Sequence, residues 1–373
     1  MHLYLHIPFC KQACHYCDFH FSTNLNQKSL LVDAICKEII LQQDYLQKKK
    51  LTTIYFGGGT PSLLNEYELS KLLATIAKYF TLDDAIEITL EANPDDLDVL
   101  KIKQLYQQGV NRLSIGVQSF NDSHLKFLNR VHSSQEAERC IKMAQDMGIT
   151  NLSLDLIYAI PADNHTIWET DLAQAIALNI PHISAYCLTI EPQTVFGNWL
   201  KKQKIKAIDE EFASQQFEIL IENLANNGLE QYEISNFAKE GWHSVHNSSY
   251  WKQEEYLGVG PSAHSFNGAS RQFNVANNAS YLKSIADEKI PCQIEQLSKA
   301  DKVNEYLLTG LRTKWGCNIA QLEQLLGGNF NTFNPQMLTS FKANDWILID
   351  NNSLKLTQSG KLFADKIASE LFV

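Results

Sequence analysis

The chain has 373 residues, 32 lysine and arginine side chains against 42 aspartate and glutamate, a formal net charge of −10 and 45% hydrophobic residues. Such a composition belongs to a globular protein large enough for two or three domains and excludes disorder and collagen-like repetition. The acidic balance argues against a protein devoted to nucleic acid, no stretch reaches the roughly 18–20 apolar residues that span a bilayer, and the opening MHLYLHIPFC carries no secretory signal, so a cytoplasmic protein is expected.

From residue 1 to about 190, short β-branched or aromatic runs alternate with longer segments of helical periodicity, the pattern of parallel β/α units. Strands are expected at 3–7, 53–56, 86–90, 112–115, 152–158 and 183–188. Helices are expected near 28–48, 66–79, 97–108, 134–147 and 166–178, with a shorter one near 122–128. Asn65 and Asp96 read as N-caps, and Gly109 and Gly148 as helix stops. Six such units make either an open barrel or a doubly wound sheet. A further helix near 209–226 leads to YEISNF and to an aromatic-rich stretch over 239–273 that is too long for a plain linker. From about Ser298 three helices, a hairpin (WILID, Asn351-Asn352, SLKLT) and a last helix from about 359 describe a small winged-helix-like α+β domain, whose mixed charges do not favour DNA. The expected division is 1–235, a connecting segment 236–295, and 296–373.

Eight cysteines in a reducing compartment are metal ligands, reactive thiols or small core residues rather than disulfides. Five are scattered singly, but Cys10, Cys14 and Cys17 fall within eight residues, on the loop after the first strand. Three close thiolates imply a metal. Structural zinc takes four ligands, usually as two separated pairs, and only His6, His15 or His20 is near enough to complete such a site. An iron–sulfur cluster is normally held by four cysteines; three leave one iron open to a small chelating molecule. Phe9, Tyr16 and Phe19 are the aromatic neighbours that would exclude water from it.

Polar residues at strand C-termini line the site of a β/α barrel. After the second strand comes GGGTP, including Gly58, Gly59 and Thr60, where a backbone without side chains lets a ligand approach. The third strand ends at Glu91, the fourth runs into Gln118, and Arg130 and Asp155 follow. Glu91, Gln118, Arg130 and Asp155 are expected to converge beside the cysteines.

The cysteine spacing resembles that of the radical S-adenosylmethionine (SAM) enzymes. The resemblance implies a [4Fe–4S] cluster whose fourth iron binds SAM, a partial (β/α)6 TIM-like barrel, and reductive cleavage of SAM to a 5′-deoxyadenosyl radical. It assigns GGGTP to the amino and carboxylate end of SAM, and places Tyr4 and the four strand-end residues in contact with the cofactor. From HIPFC through GGGTPS, EANP, GVQSF and DLIY to the C-terminal domain, the chain is similar to the group containing oxygen-independent coproporphyrinogen III dehydrogenase and its haem-chaperone relatives. It departs from the dehydrogenase at Phe19, where that enzyme has a fourth cysteine, and only nine residues precede Cys10. HNSSYW, His246 to Trp251, matches the HNxxYW motif of the chaperone branch. That branch implies haem, with His246 as candidate ligand and Tyr250 and Trp251 against the porphyrin face, and delivery to acceptors such as respiratory enzymes. The alternative is an enzyme that oxidatively decarboxylates coproporphyrinogen III to protoporphyrinogen IX. A homodimer bridged by cluster or haem is compatible with either.

Overall fold

The computed structural model describes residues 1–350 and 352–373; Asn351, expected at the hairpin turn, lies outside the described residues. In β1 (His2–Ile7), Leu3, Leu5 and Ile7 are buried in the hydrophobic core, so that His2, Tyr4 and His6 point to the opposite face. The same alternation repeats in β2 (Lys50–Gly58), β3 (Thr81–Ala92), β4 (Arg112–Gln118), β5 (Asn151–Tyr158) and β6 (His182–Cys187). Ile54, Leu90, Leu113, Leu154 and Ile183 are fully buried towards the flanking helices. The alternate set is polar: Tyr55, Glu91, Arg112, Ser114, Asp155 and Ser184. These six strands are parallel and lie in sequence order, forming the partial barrel. The interior of an ordinary β/α barrel is packed with branched aliphatic side chains; this one has a polar lumen.

The connecting helices start where their caps dictate. Asn65 and Ser133 each close a capping box, with Glu68 and Glu136. The third helix begins at Val99, because Asp98 rather than Asp96 caps it, accepting from Lys101 N; Asp96 instead accepts the Ser62 hydroxyl and pairs with Lys11 of the cysteine loop. The first helix ends at Leu41, short of the expected 48.

Residues 236–295 do more than connect. β7 (Glu230–Glu233) and β8 (Asn236–Ala238) add to β6, while β9 (Tyr256–Val259) runs parallel to β1 and carries β10 (His264–Phe266), β11 (Ser270–Asn274) and β12 (Cys292–Gln296) beyond it. Among the described residues the sheet thus has twelve strands, and both edges of the barrel are covered. Buried Glu38 ties the first helix to this extension: its carboxylate accepts from Gly260 N, Tyr281 OH, Asn274 Nδ2 and Gln42 Nε2 at 2.5–2.8 Å. Burial raises its pKa, and the four donors oppose that shift.

The C-terminal part has its own core, in which Val303, Leu307, Phe341 and Ile347 meet Leu354 and Ile367. Helices Lys299–Leu311, Ile319–Leu326 and Pro335–Ala343 pack on β13 (Cys317–Asn318), β14 (Ile347–Asp350) and β15 (Ser353–Leu356), an antiparallel sheet in the order β13-β15-β14. The last helix of the sequence reading is two short ones, Gln358–Lys361 and Ala364–Glu370. Backbone bonds from Ile234 to Arg312 and from Lys314 to Tyr232, both 3.0 Å, and the Arg271–Glu305 ion pair at 2.6 Å join the domain to the barrel. No described helix is long and apolar enough to cross a membrane.

Candidate cluster and cofactor site

The cysteine loop leaves β1 at the C-terminal end of the barrel and is held from three sides. Its stem pairs with Ser22, through Cys10 N to Ser22 O (3.1 Å) and Ser22 N to Pro8 O (2.8 Å). Residues 127–130 dock on its tip: His15 N donates to Leu128 O, Asn129 Nδ2 to Ala13 O, and Gln12 Nε2 to Asn129 O, at 2.7–3.1 Å. The third support is the glycine loop, whose Gly59 N donates to Ile7 O (2.9 Å) and Thr60 N to Phe9 O (2.7 Å).

The N–H groups of Gly58, Gly59 and Thr60 are turned to the protein itself, Gly58 N donating to Glu91 Oε2 at 3.1 Å. The missing side chain of Gly59 makes room for the cysteine loop: a Cβ there would lie 2.7 Å from the backbone N and O of Phe9. Phe19 stands outside the aromatic screen expected around the cysteines. It is 72% exposed and shields nothing, whereas Phe9 is 1% exposed and Tyr16 packs on the cluster formed by Leu128, Ile157 and Phe196.

Arg130 reaches the cysteines. Its Nη1 donates to Cys14 Sγ at 3.4 Å, and its Nη2 to Asn93 Oδ1 and Gly116 O, both at 2.6 Å. Gln118, held at a φ of +68°, brings its Nε2 to the same side of Gly116. Glu91 and Asp155 lie deeper, with Tyr4, on the walls of a cavity of about 220 Å³ in the lumen. Glu91 accepts from Tyr55 OH (2.8 Å) and Gly58 N, and Asp155 accepts from the Ser114 hydroxyl (3.1 Å). The four strand-end residues therefore divide between two layers: Arg130 and Gln118 at the mouth, Glu91 and Asp155 below.

Burial, reinforced by Asp155, pushes the Glu91 carboxyl from an ordinary 4.5 to about 7. A carboxyl raised on folding contributes stability below pH 4.5 and loses it as pH rises through 7. Glu91→Gln, which keeps an acceptor for Gly58 and lets the Tyr55 hydroxyl accept, is therefore expected to gain up to about 3 kcal/mol over wild type at pH 8, shrinking to about 1 kcal/mol at pH 5. Urea unfolding at the two pH values measures this; a gain independent of pH would remove the buried-charge explanation.

At the opposite, N-terminal end of the strands, helix Val245–Trp251 closes the lumen. Glu87 accepts from the N–H groups of Val245 (3.1 Å) and His246 (3.0 Å). His246 is 1% exposed, its ring stacked on Tyr55 with centroids 4.8 Å apart, its Nδ1 2.6 Å from Thr53 Oγ1 and its Nε2 2.8 Å from Tyr250 OH. Burial holds it neutral by lowering its pKa far below the usual value. Both ring nitrogens are engaged, so His246 offers no axial bond to iron in this arrangement; ligation would require the helix to leave the floor. Tyr250 lines the lumen beside it, whereas Trp251 lies under the Arg312 guanidinium of the C-terminal domain at 5.3 Å.

Sequence reasoning passed over Asn93, Arg112, His182 and Ser184. Arg112, His182 and Ser184 had a signal in the apolar–polar alternation of RLSIGVQ and HISAYC, which has no reason to be polar on the inner face unless the inside is a site; Asn93 lies just beyond β3 and had none.

The donor set fits a cluster: three thiols share one loop, and each can bind a different iron. The thiols of Cys10 and Cys17 are raised by burial, Cys17 to about 11, so their ionisation is coupled to metal binding. The other five cysteines lie elsewhere in the fold, three of them buried.

Comparison with known proteins agrees with this geometry. Residues 4–173 match the sequence model of the Radical SAM superfamily, and 297–363 that of the HemN C-terminal domain. The chain is 34% identical over 367 residues to the heme chaperone HemW of Bacillus subtilis (strain 168), covering 98% of this chain and 97% of that protein. The chain belongs to the HemW family. A second HemW protein, from Escherichia coli (strain K12), is 39% identical over 264 residues, covering 70% of this chain and 69% of the relative. The HemW fold is shared with a solved structure, the coproporphyrinogen III oxidase HemN of Escherichia coli, described as a radical SAM enzyme: the TM-score is 0.86 at 21% identity, over 100% of this chain and 89% of the other. For HemW proteins, membership of the Radical SAM superfamily implies a [4Fe–4S] cluster and SAM.

Proposed function

We propose that this chain is a cytoplasmic haem chaperone that binds haem and passes it to acceptor haem proteins such as respiratory enzymes, while holding a [4Fe–4S] cluster on Cys10, Cys14 and Cys17 and an exchangeable SAM beside it. The observation that carries the reading is the end-to-end identity with the Bacillus subtilis heme chaperone. An exposed phenylalanine, Phe19, at the position of the dehydrogenase's fourth cysteine supports it against the enzymatic alternative.

When bound, the cluster would supply single electrons at the cofactor. The chain's own residues set the conditions. Arg130 brings a positive charge to Cys14 and offsets part of the thiolate charge. Tyr16 keeps water from the loop, and Gln118, Glu91 and Asp155 offer a donor and acceptors to the cofactor's hydroxyl and ammonium groups. The lumen is smaller than the roughly 300–1,000 Å³ of pockets that enclose drug-sized ligands, so the macrocycle belongs outside it. The rim exposes Phe19, Val131 and Tyr186, apolar surface suited to a porphyrin plane.

The test is a hemin titration of the reconstituted chain, followed by mixing with an apo-haem protein such as apomyoglobin. A saturable Soret band that moves to the acceptor is expected, with no vinyl product from coproporphyrinogen III under anaerobic reducing conditions. Absent hemin binding, or vinyl formation, would overturn the proposal.

A further inference from the structure

Arg112 is the arginine that lines the lumen, and among the described residues its guanidinium makes no hydrogen bond. The residue is 2% exposed and lines the central cavity of about 220 Å³. Its Nε is sealed from solvent without a hydrogen bond, and among the described residues the guanidinium makes no ion pair. Thr89, its register neighbour on β3, has a buried hydroxyl in the same state. Arg130 and Arg312 share an unpartnered Nε, but their terminal nitrogens are bonded, Arg130 to Asn93 and Gly116 and Arg312 to Asp365, and Arg271 grips Glu305 with Nε and Nη2. A buried cation left without a partner is among the costliest features a fold can retain.

The carboxylates on the same walls feel its charge through space, which favours their ionised forms, but neither bonds to it. Asp155 is turned to Ser114, and Glu91 to Tyr55 and Gly58. Ser184 is likewise spent on Asn236 at 2.7 Å. Arg112 begins β4, four residues before Gly116, which puts it about 13 Å along the strand below the layer where Arg130 meets Cys14. It therefore stands at the inner end of the lumen, away from the cysteines.

We propose that the lumen is a binding site for a carboxylate group, with Arg112 as its counter-ion. The planar guanidinium fork matches a carboxylate in shape and donor spacing. The presence of Glu91 and Asp155 favours a singly charged anion over a phosphate or sulfate dianion, and the volume admits a short-chain acid but no ring system of porphyrin size. The carboxylate comes either from a free short-chain acid or from the acidic arm of a larger molecule seated at the mouth. The site does not depend on the haem reading.

Calorimetric titration of the full-length, cluster-loaded chain with sodium propionate tests it, with propionamide as the neutral isostere. Saturable propionate binding at least ~10-fold tighter than that of propionamide is expected, since a charge-assisted pair is the difference between them. Arg112→Met should lose propionate binding at least ~10-fold. If the methionine variant does not fold, Arg112→Lys, which keeps the charge and loses the fork, should weaken propionate and leave propionamide unchanged. Prior saturation with hemin, but not with hemin dimethyl ester, blocks propionate if the carboxylate is a porphyrin arm; a free acid is unaffected by either. Absent propionate binding, or equal binding of propionamide, contradicts the proposal and leaves Arg112 a hydrated counter-ion to Asp155 and Glu91.

Discussion

Gly59→Val is expected to strip the chain of its cluster although all three cysteines remain. A Cβ at this position would lie 2.7 Å from the Phe9 N and O and 2.8 Å from Ile7 O, all backbone atoms of the segment that leads into Cys10. Nothing there can yield by rotating a side chain, so the end of β1 must move. The bonds Gly59 N to Ile7 O and Thr60 N to Phe9 O go with it. Because the ligands lie immediately downstream, the displacement falls on the cluster, and iron per chain should drop to under about one, against four in an intact cluster. Overpacking of this kind typically costs about 1–3 kcal/mol, less than the stability of a domain of this size, so the variant should still fold. Gly328→Ala, where a Cβ meets nothing within 4 Å, is the control and should keep its iron. Iron retained in Gly59→Val would mean that the glycine loop does not brace the cysteine loop.

The second large effect concerns the barrel floor. Glu87→Ala leaves the buried N–H of His246 and the part-buried N–H of Val245 without their acceptor, and His246→Ala removes a stacked ring together with its bonds to Thr53 and Tyr250. Each is expected to cost about 3–5 kcal/mol, the usual range for breaking a buried polar network or emptying an aromatic site. Chemical denaturation measures the loss. The pair also separates two meanings of the histidine. If His246 is a floor residue, both variants alter the hemin Soret band alike. A band abolished by His246→Ala and untouched by Glu87→Ala would show that the imidazole binds iron after the helix is displaced.

The barrel was legible because its information is local. HLYLHI, EITLEA and RLSIGVQ alternate without a break, and Asn65 with Glu68 and Ser133 with Glu136 mark helix starts in the chain itself. The cysteine loop was legible for a similar reason, since spacing alone limits what three thiols can hold. The edge strands were not. β8 and β10 are three residues long, and they exist because β6 and β9 offer unpaired backbone, a circumstance that no window of sequence contains. HNSSYW stands out in the sequence, but a motif does not reveal which side of a seven-residue helix faces inward; that is decided by Glu87, Thr53 and Tyr55, far away in the chain. Asp96 was misplaced as a cap because Asp98, two residues on, had the same chemistry and better geometry. Arg112 escaped notice since a charged residue opening a strand usually faces solvent, and only the closed lumen makes it exceptional.

The most direct measurement is the content of iron, acid-labile sulfide and zinc in protein purified without oxygen. About four irons and four sulfides per chain, little zinc, and loss of both iron and sulfide in a Cys10→Ser, Cys14→Ser or Cys17→Ser variant are predicted. Stoichiometric zinc, or protein without iron and sulfide that cannot be reconstituted, would contradict the account.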